Sequence, residues 1–143
     1  MSVDRLKSEI TSRVCSLQTL EEQEAFLVDR LQTRSDDAEG NYIFNTTLNY
    51  QDERSQLYAL RLQIYDITLS LGGFIGELSA VDRAIADGYR FVLRQKILMR
   101  LDRLRSEERA YMEYGGNMVH IQNIQQLIIL LEKSVWPLGS ALF

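Results

Sequence analysis

The sequence predicts an all-α protein, an elongated helical bundle of coiled-coil type with about four helices. Apolar residues recur at intervals of three and four along most of the chain, which is the period of a helix with one buried face. In the middle of the chain an apolar repeat of seven residues holds its phase over several turns, as in coiled coils. The only proline is Pro137, and scarcity of proline suits long helices. At 143 residues, we expect a single all-helical domain, 1–143.

The first helix is predicted over about residues 3–33. Val3 and Ile10 share one face of it, and Ser2 is in a position to cap its amino-terminal end. Residues 35–50 then combine turn-forming residues with aromatic, β-branched and asparagine residues. We expect one irregular loop there that packs on the bundle. An edge strand completed by another subunit is the alternative.

The central element is the longest helical pattern in the chain. We predict a helix over 51–71 running on into 74–114, one continuous helix 51–114 that bends at Gly72-Gly73. A break at this glycine pair is the alternative, because each interior glycine costs about 1 kcal/mol relative to alanine. The continuous helix is favoured because the seven-residue repeat keeps its phase across the pair. The seam of this repeat consists of Leu57, Leu60, Ile64, Ile67, Leu71, Phe74, Leu78, Val81, Ile85 and Val92.

Small residues form a ridge along the central element at strict spacings of four. On a helix this spacing aligns them on one narrow strip, which another helix can approach closely. The ridge predicts a helix-packing contact, either with another helix of the same chain or with a second copy. Its members are Gly72, Gly76, Ala80, Ala84 and Gly88.

The last helix is predicted over residues 118–136, after a turn signal at 115–117. It is apolar over most of its circumference, so we expect several neighbouring elements to cover it. Pro137 is expected to end it, because proline favours the position just past a helix. The uncharged segment 137–143 follows. We expect this apolar tail to dock on its own bundle or on a partner through Trp136, Leu138, Leu142 and Phe143.

The chain carries a net charge of −4, and the two signs are unevenly distributed. Residues 1–53 hold 5 basic and 11 acidic side chains, whereas residues 90–109 hold 7 basic and 3 acidic ones. Such regions can pair within one chain or between subunits. The basic residues are candidates for contact with an acidic protein partner or with nucleic acid, and the acidic chain as a whole disfavours nucleic acid. They are Arg90, Arg94, Lys96, Arg100, Arg103 and Arg105.

No combination of residues in the sequence supports catalysis, so we expect no enzyme, no cofactor and no metal site. His120 is the only histidine, and the common zinc and di-iron sites need several ligands at fixed spacings. We expect it on a helix surface or packed against a neighbour. Cys15 is the only cysteine, so no disulfide can form within the chain, and we expect a small buried residue.

Together these patterns predict a non-enzymatic structural or assembly subunit that works through helix–helix packing. Its expected partners are copies of itself or other protein subunits of a larger complex, scaffold or particle, with no membrane and no small-molecule substrate. The alternative is a small helical regulator that binds nucleic acid through the basic helix 90–105. No apolar leader precedes the first helix, and charges interrupt the most apolar window, which predicts an intracellular protein.

Overall fold

The protein is an all-α helical bundle, as predicted. The computed structural model describes residues 2–34, 42–44, 51–114 and 118–142. These residues form four helices and one short antiparallel ribbon. The helices are α1 (Val3–Leu31), α2 (Gln51–Val81), α3 (Arg83–Tyr114) and α4 (Met118–Leu142), and the ribbon strands are β1 (Gln32–Arg34) and β2 (Tyr42–Phe44).

The helix α1 begins as the sequence indicates and ends two residues early. The Ser2 hydroxyl accepts a hydrogen bond from the backbone N–H of Arg5 at 3.2 Å, which caps the helix. After Leu31 the chain turns extended and pairs with Tyr42–Phe44. The prediction of an irregular loop is therefore wrong at β2, since aromatic and β-branched residues favour a strand and β1, which directly follows α1, pairs with it. The remainder of 35–50 lies outside the described residues.

The predicted continuous helix 51–114 is wrong, because the chain reverses at Asp82. The helix α2 passes through Gly72-Gly73 without interruption and ends one residue before Asp82. The N–H of Asp82 still donates to the Leu78 carbonyl at 2.7 Å, so Asp82 closes α2. Its carboxylate accepts a hydrogen bond from the N–H of Ile85 at 3.3 Å and caps α3. A capping aspartate ends the helix here, and the glycine pair does not.

The four helices run up and down in chain order. Arg61 on α2 hydrogen-bonds Glu107 on α3, 46 residues later, so α3 runs back along α2. Glu24 on α1 also contacts Arg61, which makes α1 antiparallel to α2. Arg105 on α3 contacts Glu132 on α4, which makes α4 antiparallel to α3. Consecutive antiparallel helices of this kind define an up-down-up-down four-helix bundle.

The helix α4 covers only part of α3. Its register places Glu132 beside Arg105. The contact between Tyr111 and His120 gives a second register point on the same two helices. Since α4 is antiparallel to α3, the two points place Leu142 level with about residues 89–95 of α3. The segment 83–88 of α3 therefore extends beyond the last α4 residue that the structure describes. At this end, the bundle consists of α1, α2 and α3.

Two heptad positions of α2 are buried at each repeat, and only one of them belongs to the predicted seam. The structure buries Leu57, Leu60, Ile64, Leu71 and Leu78 of the seam. It leaves Ile67, Phe74 and Ile85 half-buried and exposes Val81 and Val92. From Val81 onward the reversal ends the phase of the repeat. In α3 the core continues instead from Ala86 and Leu93. The second buried position of α2 holds Arg54, Arg61, Thr68 and Ile75.

Candidate functional site

Four charged side chains form a layer across the interior of the bundle, here called the ionic layer: Glu24, Arg61, Arg100 and Glu107. Arg61 donates one hydrogen bond to Glu24 at 2.8 Å and two to Glu107 at 3.1 and 2.6 Å. Arg100 donates to the same oxygen of Glu24 at 2.6 Å. The layer joins α1, α2 and α3, and the pairing of Arg61 with Glu107 is bidentate, the strongest geometry for such a pair.

Heptad spacing carries these charges into the interior. Ile10, Leu17, Glu24 and Leu31 are separated by seven residues each, and all four are buried. Arg61 lies seven residues before the buried Thr68. The ionic layer was not predicted from the sequence, because the predicted seam consists of apolar residues alone. The signal available in the sequence was a charged residue at a heptad position that is otherwise apolar.

The electrostatics of the layer keep Glu24 and Arg61 charged. Burial alone would raise the pKa of the Glu24 carboxyl, but hydrogen bonds and charges from Arg100 and Arg61 outweigh burial and hold the pKa below its ordinary value. Burial likewise disfavours the Arg61 cation, yet Glu107 and Glu24 raise the pKa of Arg61 above its ordinary value. Glu24 and Arg61 are therefore both ionised at neutral pH.

His120 and Tyr111 lie beside the ionic layer. Their rings meet edge to face, with centroids 4.7 Å apart, and both residues are buried. Burial, together with the positive charges of Arg61 and Arg54, lowers the pKa of His120 to about 4. Burial and the charge of Glu107 raise the pKa of the Tyr111 hydroxyl well above its ordinary range. His120 is thus a packed, neutral histidine at pH 7, which is one of the two placements that the sequence predicted.

The chemistry of the layer is ion pairing. A group that performs acid–base catalysis has a pKa near neutral pH. The pKa of His120 lies well below that range, and the pKa of Tyr111 lies well above it. Arginine does not release its proton in proteins. Among the described residues, no group of three or more His, Cys, Asp or Glu side chains is arranged to hold a metal ion.

Cys15 is exposed, so the prediction of a buried cysteine is wrong. Leu17 faces the core, and at 100° per residue Cys15 lies about 160° around the helix from it.

The six candidate basic residues of α3 do not form a free cationic stripe. Lys96 pairs with Glu21 at 3.3 Å and Arg100 with Glu24 at 2.6 Å, so the basic region meets the acidic one within the chain. Two others also have carboxylate neighbours, since Arg90 pairs with Asp87 and Arg105 with Glu132. Arg94 is half-buried, and Arg103 is exposed.

The small-residue ridge faces outward on the bundle. The reversal at Asp82 divides it between α2 and α3, and Gly76, Ala80, Ala84 and Gly88 are exposed, whereas Gly72 is half-buried. Within the described part of the chain, a methyl group added at Gly76 or Gly88 meets no atom within 4 Å. The prediction of a tight crossing inside the chain is therefore wrong, because no described helix lies on the ridge. Contact with a second copy stays a prediction.

Exposed apolar and small residues lie on α2 and α3 on both sides of the reversal. We call this surface the hairpin-end patch. Phe91 is 63% exposed, and the valines on either side of the reversal are exposed as well. The patch consists of Ala80, Val81, Ala84, Gly88, Phe91 and Val92.

The helix α4 continues past Pro137 to Leu142, so the predicted end at residue 136 is wrong. A proline removes a single backbone hydrogen bond, here the one to the carbonyl of Lys133, and a helix can resume beyond it with a kink. The predicted docking side chains Trp136, Leu138, Leu142 and Phe143 lie outside the part of the structure in which side chains are described.

By its length and apolar composition, α2 could cross a membrane. This is weak evidence for a membrane span, because the core helix of a soluble protein can have the same length and composition. In the bundle its inner face packs on the three other helices and carries the buried arginines Arg54 and Arg61.

Comparison of the chain with known protein families, with curated proteins and with solved structures finds no match.

Proposed function

We propose that the protein is a non-enzymatic, intracellular assembly subunit, a four-helix bundle that joins a second copy of itself through the hairpin-end patch. The buried ionic layer holds the bundle in one register, and the patch supplies the contact surface. A larger complex or scaffold would be built from this unit by further helix–helix contacts.

The exposure of the hairpin-end patch carries this proposal. Contiguous exposed apolar surface on a soluble protein commonly marks an interaction site. Phe91, Val81 and Val92 are all more than half exposed and lie within three helical turns of Asp82. The exposed Ala84 and Gly88 lie between them on α3, where their small side chains permit the close approach of a helix. Large and small residues together form a surface suited to receiving another helix.

Charges beside the patch favour a second copy as the partner. Glu77 lies one turn before Val81, Arg83 lies two residues after it, and both are exposed. A two-fold contact brings the same surface of both subunits together, so opposite charges that flank one patch can pair across the axis. This complementarity supports a symmetric dimer as the first assembly step.

Nucleic acid receives less support as the partner. A nucleic-acid footprint requires basic side chains that are available to phosphates. Lys96 and Arg100, at the centre of the basic helix 90–105, are already engaged with carboxylates of α1.

Replacing Phe91 with serine is expected to weaken self-association at least tenfold in dissociation constant, since burying one such side chain contributes about 1.5–3 kcal/mol. The measurement is light scattering over a range of protein concentrations. The wild-type chain should approach twice its 16.6 kDa mass, and the Phe91→Ser variant should remain near 16.6 kDa over the same range.

Phe26 provides a matched control. It is 62% exposed, almost the same as Phe91, but it lies on α1 near the opposite end of the bundle. The Phe26→Ser variant should associate like the wild type. A wild-type chain that stays monomeric at millimolar concentration, or equal loss of association in both variants, would exclude the hairpin-end patch as a self-association surface.

A further inference from the structure

An open groove of about 700 Å³ runs along the surface of the bundle between α1 and α2. The described residues that line it all belong to these two helices. Leu27 and Leu60 form its floor, half-buried and buried respectively, and every other described lining residue is exposed. The groove is therefore a surface feature with solvent in it, not a packed part of the core.

The register of α1 against α2 brings the two walls of this groove side by side. Arg13 donates a hydrogen bond to Ser70 at 2.8 Å, and Arg30 pairs with Glu53 at 3.4 Å. These two contacts fix the antiparallel alignment near both ends of the helix pair. The α1 residues of the groove, 19–27, lie level with the α2 residues that line it.

Phe26 is the large apolar side chain that the bundle leaves uncovered at the groove. It is 62% exposed. Ala59 lines the opposite wall, where its small side chain leaves room for an incoming group. The neighbouring Gln23, Gln56 and Gln63 are exposed and uncharged, and each can both donate and accept hydrogen bonds. An apolar centre with polar edges suits the apolar face of a helix.

The surroundings of the groove are acidic. Residues 17–31 and 51–66 hold seven acidic and three basic side chains. Two of the basic side chains, Arg54 and Arg61, are buried, and the third, Arg30, pairs with a carboxylate of α2. The exposed charge around the groove is therefore negative.

Four exposed carboxylates follow the length of the groove and form no ion pair among the side chains that the structure describes. Asp29 lies seven residues after Glu22 on α1. On α2, Asp52 and Asp66 lie seven residues before and after Ala59, so they share its face of the helix. The 14 residues from Asp52 to Asp66 cover about 21 Å, or about four helical turns.

We infer that this groove binds a basic amphipathic helix of a partner protein. The apolar face of the partner helix covers Phe26 and packs on Leu27 and Leu60. Lysine or arginine side chains on either side of that face pair with the carboxylates of the two walls. A partner helix of about four turns matches the distance between Asp52 and Asp66.

Charge separates this occupant from the others. The carboxylates repel the phosphates of nucleic acid and of anionic lipids. In a second copy of the chain, Lys96 and Arg100 of the basic helix are already engaged by carboxylates of α1. The inference does not rest on the assembly proposal, because Val81 of the hairpin-end patch lies 18 residues after Gln63, about 27 Å along α2.

The probe is a labelled synthetic peptide of about 18 residues, with leucine along one helical face, lysine on both sides of it, and alanine and glutamine elsewhere. Fluorescence anisotropy follows its titration with the full-length chain. A dissociation constant below about 100 μM is expected at about 50 mM salt, with several-fold weaker binding at about 0.5 M salt. The same peptide with glutamate in place of lysine should bind at least about tenfold more weakly.

Replacing Phe26 with serine should raise the dissociation constant for the lysine peptide at least about tenfold, because the apolar anchor of the groove is lost. Phe91→Ser is the matched control, since Phe91 is 63% exposed and lies in the hairpin-end patch. This control should leave the peptide affinity within about twofold. The two serine variants are therefore expected to exchange roles between peptide binding and self-association.

Neutralising two of the wall carboxylates tests the electrostatic part. Asp29→Asn combined with Asp66→Asn should raise the dissociation constant about fivefold at low salt, and this difference should disappear at about 0.5 M salt. The control combines Asp102→Asn with Glu113→Gln, two exposed carboxylates of α3, and should leave the affinity within about twofold.

Three outcomes of the peptide titration would overturn the inference: no saturable binding, equal affinity for the lysine and glutamate peptides, or unchanged affinity in Phe26→Ser. Loss of self-association in Phe26→Ser would also overturn it, because a second copy would then be the occupant of the groove.

Discussion

Replacing Arg61 with methionine is expected to lower the free energy of unfolding by about 3–5 kcal/mol, because it breaks a buried ion pair and leaves a buried carboxylate behind. Arg61 donates two hydrogen bonds to Glu107 and one to Glu24, and all three residues are buried. Glu24 keeps its hydrogen bond from Arg100, so most of the loss should arise at Glu107. Denaturant unfolding followed by circular dichroism measures the change.

Two further variants separate ion pairing from loss of volume. The double variant Arg61→Met with Glu107→Leu removes both charges of the bidentate pair and should recover at least half of the lost stability. The surface control is Arg105→Met, which breaks the pair with Glu132. Both side chains of that pair are 47% exposed, so the expected loss is below about 1 kcal/mol. If Arg61→Met costs no more than Arg105→Met, the ionic layer does not hold the bundle together.

Acidification is expected to destabilise the protein through His120. Burial and the charges of Arg61 and Arg54 lower the pKa of His120 to about 4 in the folded state, whereas an exposed histidine in the unfolded chain has a pKa near 6.5. The unfolded state therefore binds a proton first as the pH falls. The stability that the neutral His120 ring contributes is fully present above pH 6.5. It is lost as the pH falls through the pKa of His120 in the folded state, and the free energy of unfolding decreases by roughly 3 kcal/mol between pH 7 and pH 4.

The control for this prediction is His120→Leu. The wild type should lose about 2 kcal/mol between pH 6.5 and pH 4.5, and the variant should be nearly flat over this interval. Below pH 4.5 both proteins should lose further stability, because Glu24 has a lowered pKa in the folded state and its contribution disappears as it is protonated. Parallel pH profiles of the two proteins above pH 4.5 would show that His120 is not the group responsible.

Spacing in the sequence is sufficient to predict the helices but not the point at which the chain reverses. The seven-residue repeat correctly carries α2 through Gly72-Gly73, because two glycines weaken a helix by about 2 kcal/mol and packing of one face outweighs this. The reversal depends on Asp82, whose single carboxylate caps α3. An isolated aspartate inside an apolar repeat is common on exposed helix faces, so the pattern alone does not reveal the turn.

The candidate sites depend on distances that no local pattern contains. In the sequence, Glu24 and Glu107 are isolated charges at otherwise apolar positions. They form one site only in the folded protein, where Arg61 lies between them although it is 37 and 46 residues away along the chain. The exposure of Phe91 likewise depends on the register between α3 and α4. Sequence spacing predicted the helices that carry these residues, whereas their burial or exposure follows from the packing of four helices.

The reversal at Asp82 is the central claim, because the ionic layer and the hairpin-end patch both require α3 to run back along α2. Spin labels at Asp66→Cys and Asp102→Cys, both exposed positions, test it in a Cys15→Ser background by pulsed dipolar spectroscopy. Labelled protein diluted in unlabelled protein reports distances within one chain. The bundle predicts a separation below about 30 Å, from adjacent helix axes 8–10 Å apart. A separation of about 54 Å, the length of 36 residues in one straight helix, would contradict the fold and every site built on it.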